Sequence, residues 1–167
     1  VATLPGTSDE VILITAHIDG FFKAALDNGT GVAATMALAK HYSAIPQEQR
    51  KYTLVFAITG DHEMTGHAGM IRFAETYPEI MDKTALVVQL EHLASPGIDT
   101  SLNVPKLTNH DAARLLMVTN RNPTLIELFR RAAQDFNITM TQAVFQEYAG
   151  DVEGLYGSGI PAVGWIE

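Results

Sequence analysis

Continuous apolar runs rich in β-branched residues recur along the chain and predict the strands of a sheet. They fall at 11–15 (VILIT), 52–58 (YTLVFAI), 85–90 (ALVVQL), 114–119 (RLLMVT), near 138–144 and at 159–166 (GIPAVGWI). Runs without polar alternation are typical of strands that are covered on both faces. The sheet is therefore expected to lie inside the domain.

The stretches between several of these runs have the residue spacing of helices. Residues 31–42 and 67–77 are predicted helices, and Pro78 is expected to end the second. A third helix is predicted from Pro123, because Asn122 is a favourable N-cap and proline suits the first helical position. Its apolar stripe consists of Leu125, Leu128, Phe129, Ala132 and Phe136.

Strands that alternate with helices imply right-handed crossovers and a mostly parallel sheet. We therefore predict an α/β fold, a three-layer α/β/α sandwich, in a single domain that covers residues 1–167. The polar, turn-rich stretch 94–111 is predicted to be a long loop. The chain opens directly before a strand and stops after an apolar run, so we expect it to be a fragment of a longer protein.

Composition narrows the range of functions. The net charge of −8 argues against binding nucleic acid, whose affinity depends on Lys and Arg that neutralise phosphates. No apolar run reaches the roughly 20 residues of a transmembrane helix, so no transmembrane segment is predicted. The chain has no cysteine, so any transition-metal site must use His, Asp and Glu.

Reactive side chains follow the first three predicted strands. His17 comes after the first strand, Asp61, His62 and Glu63 come after the second, and Glu91 comes after the third. In an open α/β sheet, ligands bind beyond the carboxyl ends of the strands. These side chains are therefore expected to meet at one edge of the sheet.

Each of these residues also has an ordinary structural explanation. A lone histidine after a strand is usually a hydrogen-bonded structural residue, and Asp27, in the phrase LDNGTG, could cap the next helix. Several carboxylates at one edge would repel one another and raise their pKa values. A divalent cation removes that repulsion and takes imidazole and carboxylate as ligands. The sequence thus favours a metal site over a set of unrelated polar residues.

Three phrases resemble the signatures of the zinc aminopeptidase family. They are AHIDG at 16–20, LDNGTGVA at 26–33 and GSGIPAV at 157–163. Relatives in this family include bacterial leucyl aminopeptidases, glutamate carboxypeptidases, glutaminyl cyclases and the transferrin receptor. The resemblance covers nearly the whole chain and implies a zinc exopeptidase-like domain.

The resemblance implies a role for each matched position. His17 is similar to a ligand of the first zinc, and Asp19 to the carboxylate that orients its imidazole. Asp27 resembles the carboxylate that bridges two zincs. Glu63 is similar to a ligand of the second zinc, and Glu91 to the acidic ligand of the first. In the family, a metal-activated water attacks the scissile carbonyl after a glutamate takes its proton.

The sequence departs from the family pattern at several points. The family's base is a glutamate directly before the ligand glutamate, and this position holds His62. Asp61 is an alternative base, and His62 is an alternative metal ligand. The loop HEMTGHAG carries one extra residue. Asp151 matches the family's Ser-Asp-His phrase, but Val152 stands in place of its histidine. The family's last histidine ligand would follow residue 167.

Two other catalytic motifs are excluded. The segment from His62 to His67 resembles a His-Glu-x-x-His motif, but its two histidines are five residues apart. This spacing corresponds to about 140° around a helix, so the two side chains could not bind one metal from the same helix face. A serine-hydrolase elbow is absent, since Tyr156 takes the place of its first glycine before Ser158.

The sequence therefore predicts a two-zinc exopeptidase of the aminopeptidase type that acts on peptide or aminoacyl substrates. Two alternatives stay open. One is a catalytically impaired, metal-binding homologue with a binding or structural role, and the other is an acyl transferase similar to the glutaminyl cyclases. The family resemblance also leads us to expect an extracytoplasmic or secreted protein.

Overall fold

The computed structural model describes residues 1–64, 66–101, 103–111, 114–138, 140–144, 150–155 and 157–166. Within these ranges the strands are β1 (Ala2–Leu4), β2 (Val11–His17), β3 (Thr53–Thr59), β4 (Thr84–Leu90), β5 (Pro96–Asp99), β6 (Lys106–Asp111), β7 (Arg114–Val118), β8 (Met140–Val144) and β9 (Ala162–Ile166). The α-helices are α1 (Gly31–Ser43), α2 (Ala68–Thr76), α3 (Pro78–Met81) and α4 (Pro123–Asp135). We find no candidate for a membrane-spanning helix among these described residues.

Seven of the described strands form one sheet in the order β1-β3-β2-β4-β9-β7-β8. The four central strands, β3, β2, β4 and β9, are parallel to one another. On one side β1 runs antiparallel to β3, and on the other β7 runs antiparallel to β9 and parallel to β8. The predicted α/β fold with a mostly parallel sheet is confirmed.

Helices cover both faces of this sheet. On one face, the core that includes Leu13, Val55 and Val87 packs against side chains of α2 and α3. On the other face, Ile14 and Phe56 pack against α1, and a neighbouring cluster packs against α4. Adjacent residues of β2 thus point into different cores, which explains why this strand is apolar throughout.

The structure differs from the sequence-based prediction in its peripheral elements. The long loop predicted at 94–111 contains the antiparallel hairpin β5–β6, which stands outside the main sheet. The edge strand β1 is absent from the prediction, because three residues are too short to show a periodic pattern. Pro78 does end α2, but it also starts the short helix α3.

Candidate metal centre

The site lies where the parallel strands β2, β3 and β4 end. His17 is the last residue of β2 and is in register with Thr59, the last residue of β3. The neighbouring strand β4 ends at Leu90, one residue before Glu91. Parallel strands in register bring the residues that follow them to one edge of the sheet. The topology therefore accounts for the meeting of side chains that are far apart in the sequence.

His17 is completely buried at this edge and faces two carboxylates. Its Nε2 lies 3.2 Å from Asp27 Oδ1 and 3.8 Å from Glu91 Oε1. Its Nδ1 is 2.9 Å from the backbone carbonyl oxygen of Asp19. The imidazole is thus fixed on one side, and its second nitrogen is directed at acidic groups.

Asp27 reaches the site from an irregular turn, Ala25–Thr30, in which its own backbone is extended. The neighbouring Asn28 makes the structural contacts of this turn. Asn28 Oδ1 accepts a hydrogen bond from the N–H of Gly31, and its Nδ2 donates to the carbonyl of Leu90. Helix α1 begins four residues after Asp27, so Asp27 does not cap this helix, which was the structural alternative considered from the sequence. The Asp27 carboxylate instead lies in the site, beside His17 Nε2.

Glu91 is nearly buried and lies among imidazoles. Gln89 Nε2 donates a hydrogen bond to Glu91 Oε2. Glu91 Oε1 lies 3.8 Å from the Nε2 atoms of His17 and His62 and 3.7 Å from His92 Nε2. One carboxylate oxygen therefore faces three imidazole nitrogens.

Asp19 does not make the contact expected of it. Its carboxylate is 3.7 Å from His17 Nδ1, beyond hydrogen-bond distance, and its backbone carbonyl takes that nitrogen instead. Asp19 Oδ2 accepts hydrogen bonds from the N–H groups of His62 and Glu63, each at 2.9 Å. The carboxylate thus positions the loop after β3, while the backbone orients His17.

His62 lies inside the site. Its Nδ1 is 2.9 Å from Asp151 Oδ1, and its ring stacks on that of His17 with centroids 3.7 Å apart and planes 6° apart. Asp151 is buried and also accepts a hydrogen bond from the Thr59 hydroxyl. An imidazole held by a buried carboxylate has a fixed orientation.

Asp61, the other base considered from the sequence, has a different environment. Its Oδ2 pairs with the exposed guanidinium of Arg72 at 2.9 Å. Among the described residues, Asp61 is not a member of the three groups of side chains whose donor atoms lie within 4.8 Å of one another. His62 therefore belongs to one of these donor groups, and Asp61 does not.

His67 stays outside these donor groups. Helix α2 begins at Ala68, so His62 and His67 do not lie on one helix. His67 Nδ1 instead pairs with Glu153 Oε2 at 3.1 Å.

Two residues of the site were missed or left without a role by sequence reasoning. His92 Nε2 lies 2.9 Å from Asp27 Oδ1, although the sequence suggested only a polar strand end at this position. Its place directly after Glu91 was the available signal. Asp151 was matched by family resemblance alone, and its partner His62 is 89 residues away.

The charges of the site shift several pKa values. Burial alone would lower the pKa of His17, but the neighbouring Glu91 carboxylate, the charge of Asp151 and the backbone carbonyl of Asp19 raise it to about 9. Burial and the neighbouring Asp27 raise the pKa of Glu63. The pKa of Glu91 is lowered, because its imidazole neighbours outweigh the effect of burial. In the absence of a metal, these acidic and imidazole side chains therefore hold protons, and a bound cation would take the place of those protons.

The donor set fits a zinc ion. Four of its buried atoms have no hydrogen-bond partner: His17 Nε2, Asp27 Oδ1, Glu63 Oε1 and His92 Nε2. Leaving a buried polar atom unpaired is costly, so the convergence of four such atoms needs an explanation. Donor atoms within 4.8 Å of one another occur in three groups: His17–His62–Glu91, His17–Asp27–Glu63 and Asp27–Glu91–His92. Imidazole and carboxylate are zinc ligands, and each of the four residues with an unpaired atom belongs to at least one of these groups.

A mostly parallel α/β/α sandwich with a histidine–carboxylate cluster beyond its central strands is suited to hold a metal ion at that edge. Comparison with known proteins agrees. The model of "Peptidase family M28" matches residues 1–165, and the chain therefore belongs to peptidase family M28. A search of curated proteins found no match.

Solved structures with the same fold include a glutaminyl cyclase and two aminopeptidases. The glutaminyl cyclase of an Acidobacteriales bacterium matches with a TM-score of 0.69 and 16% identity over 99% of this chain and 56% of its own. The zinc aminopeptidase BSAP from Bacillus subtilis matches with a TM-score of 0.72 and 17% identity over 98% of this chain and 38% of its own. An aminopeptidase from Aneurinibacillus sp. strain AM-1 matches with a TM-score of 0.71 and 22% identity over 99% of this chain and 38% of its own.

The chain thus spans between just over a third and just over half of the length of these three solved proteins. At these identities the likeness shows the fold. Together with the family, it supports a metallopeptidase-like function and zinc as the metal.

Proposed function

We propose that this chain forms the zinc-binding core of an exopeptidase of the aminopeptidase type, which hydrolyses a peptide bond near a chain end. The observation that carries the proposal is the convergence of unpaired, buried donor atoms of His17, Asp27 and Glu63 beside Glu91. A structural polar cluster would pair these atoms with one another, whereas a metal site leaves their lone pairs directed at the ion.

The residues fit two neighbouring ions. His17, Asp27 and Glu91 would hold the first, and Asp27 and Glu63 would contribute to the second. When bound, zinc activates a water molecule and polarises the scissile carbonyl. Asp27 shares one donor group with Glu63 and another with Glu91, which fits a carboxylate that bridges two ions.

His62 is the residue that we assign to proton transfer. If its Nδ1 donates a hydrogen to Asp151, its Nε2 carries the lone pair and can accept a proton. The buried Asp151 would then stabilise the imidazolium that forms. Asp61 is less suitable, since Arg72 holds its carboxylate.

The first prediction tests the bridging carboxylate. Asp27→Ala should remove both zinc ions from a chain that carries two, because neither ion keeps its shared ligand. Metal per chain is measured by elemental analysis after dialysis, and hydrolysis of aminoacyl p-nitroanilides is measured on the same samples.

The matched control is Asp135→Ala, which removes an exposed carboxylate at the end of α4. This variant should keep the metal content and turnover of the parent chain. Loss of only one ion from Asp27→Ala would contradict the bridging role, and metal-independent turnover would contradict the proposed function.

Two further functions have specific support. His62 in the position of the family's glutamate, together with the pairing of Asp61 with Arg72, favours a metal-binding homologue with impaired catalysis. Bound zinc without aminopeptidase turnover would identify it. The structural likeness to a glutaminyl cyclase favours acyl transfer instead, and cyclisation of an N-terminal glutaminyl peptide would identify that activity.

A further inference from the structure

His92 faces two carboxylates of the candidate metal centre from the turn that follows β4. Its Nε2 is 2.9 Å from Asp27 Oδ1 and 3.7 Å from Glu91 Oε1. His17 Nε2 contacts the same two oxygen atoms, at 3.2 and 3.8 Å. Each of the two imidazole nitrogens therefore neighbours the same two carboxylate oxygens, and His92, Asp27 and Glu91 form one donor group.

The distances between these nitrogens and oxygens are compatible with the nitrogen-to-oxygen edges of a tetrahedral ligand set. Zinc bonds of about 2.0–2.2 Å give ligand-to-ligand edges of about 3.4 Å in a regular tetrahedron. The four N–O separations lie between 2.9 and 3.8 Å and bracket that value. Side-chain shifts of about half an ångström would bring each pair to the ideal edge.

An ordinary hydrogen-bonded ion pair between His92 and Asp27 is the competing explanation. The two atoms are near enough, but neither His92 Nε2 nor Asp27 Oδ1 makes a hydrogen bond, and both are buried. His17 Nε2, on a completely buried side chain, is unpaired in the same way. Coordination of a metal ion would give all three unpaired atoms a partner.

The backbone holds His92 in place. Its φ is +51°, in the left-handed region that few residues other than glycine adopt and in which histidine, asparagine and aspartate are enriched. Its N–H donates to Asn28 Oδ1 at 3.3 Å, and the N–H of Leu93 donates to Thr30 Oγ1 at 3.0 Å. The turn is thus fastened to the segment that carries Asp27.

We propose that His92 is a fourth protein ligand of the first ion, together with His17, Asp27 and Glu91. The inference rests on the metal site of the proposed function and goes beyond it, since the family resemblance gives this position no role. Zinc with four protein ligands is typical of closed, structural sites, whereas catalytic sites leave one position open. His92 therefore makes the first ion a tightly held, structural one in this chain.

The test uses the chain loaded with one equivalent of zinc. His92→Gly is the main variant, because glycine adopts a positive φ without strain. Zinc affinity is measured by competition with a chelator, and X-ray absorption counts the imidazoles bound to the ion. We expect two imidazoles in the parent chain and one in the variant, with affinity at least about tenfold lower. Added free imidazole should restore both values.

A second variant and a control complete the design. His92→Asn keeps a residue that tolerates this backbone and removes the ligand nitrogen, so it should behave like the glycine variant. His41→Ala removes an exposed histidine of α1 and should change neither reading. Circular dichroism checks that each variant is folded.

The competing second imidazole is His62, which forms a donor group with His17 and Glu91. If His62→Ala lowers the imidazole count and His92→Gly does not, the inference is overturned. Unchanged zinc affinity in His92→Gly overturns it as well. Failure of the proposed function looks different: zinc would still bind through His92, but the chain would hydrolyse no aminoacyl substrate.

Discussion

At the residue scale, the pairing of His62 with Asp151 influences the orientation and the protonation of an imidazole in the site. The two residues are joined by a contact of 2.9 Å in a buried setting. Burial lowers the pKa of His62, but the hydrogen bond to Asp151 and the charges of Asp151 and Glu91 together outweigh this effect and leave the pKa raised. A second such pair, His67 with Glu153, lies close by and has an exposed carboxylate. The two pairs allow a controlled comparison.

Asp151→Asn should lower the pKa of His62 in the metal-free protein, because the amide cannot stabilise the imidazolium as the carboxylate does. The variant should also lose about 1.5–3 kcal/mol of stability, as expected for a hydrogen bond to a charged group. The pKa is measured by NMR titration of the imidazole, and stability by urea unfolding.

Glu153→Gln is the control for this variant. It removes the carboxylate next to His67, so the pKa of His62 should not change. Equal shifts of the His62 pKa in both variants would show that general negative charge, and not the Asp151 contact, sets its protonation.

At the scale of elements, one junction connects α1, β4 and the segment that carries Asp27. Asn28 is completely buried, and its amide reaches Gly31 at the start of α1 and Leu90 at the end of β4. A Cβ atom on Gly31 would overlap both Asn28 Oδ1 and the carbonyl oxygen of Leu90. Glycine at this position therefore lets the helix start approach the strand end closely.

Gly31→Ala should destabilise the chain by about 1–3 kcal/mol and weaken zinc binding, because the overlap forces α1 away from β4 and displaces Asp27. The measurements are urea unfolding and zinc competition. Gly60→Ala is the matched control in the loop after β3, since a Cβ there meets nothing within 4 Å. Equal loss of stability in both variants would count against the junction.

At the scale of the whole molecule, the metal and the proton compete for the same buried group. His17 has an ordinary pKa of 6.5 and a pKa of about 9 in the folded, metal-free chain. A raised pKa stabilises the folded chain fully below pH 6.5, and this stabilisation is lost as the pH rises through about 9. Zinc binds the deprotonated imidazole, so its affinity rises over the same interval.

The free energy of unfolding of the metal-free chain should therefore fall between pH 6.5 and 9. Deprotonation of His17 should account for at most about 3 kcal/mol of this fall. The gain in melting temperature on adding zinc should increase over this range. Thermal unfolding with a chelator and with zinc, at both pH values, gives the two curves. A zinc-induced gain that shrinks as the pH rises would contradict the assignment of His17 as a ligand.

The central elements, and the positions where chemistry follows a strand, could be predicted from residue order alone. The apolar runs of β2, β3 and β4 indicated a buried parallel sheet, since such strands are covered on both faces. The rule that ligands bind beyond the carboxyl ends then brought His17, Glu63 and Glu91 into one hypothesis. These inferences depend on local pattern and chain order, which a sequence contains.

The atoms that meet in the site could be found only in the folded chain. The contacts of His92 with Asp27 and of His62 with Asp151 join residues that are 65 and 89 positions apart. The role of Asp19 passed from its carboxylate to its backbone carbonyl, a difference of less than 1 Å that no residue pattern encodes. Side-chain contacts of this kind depend on register and backbone torsion, and these are set only when the strands pack together.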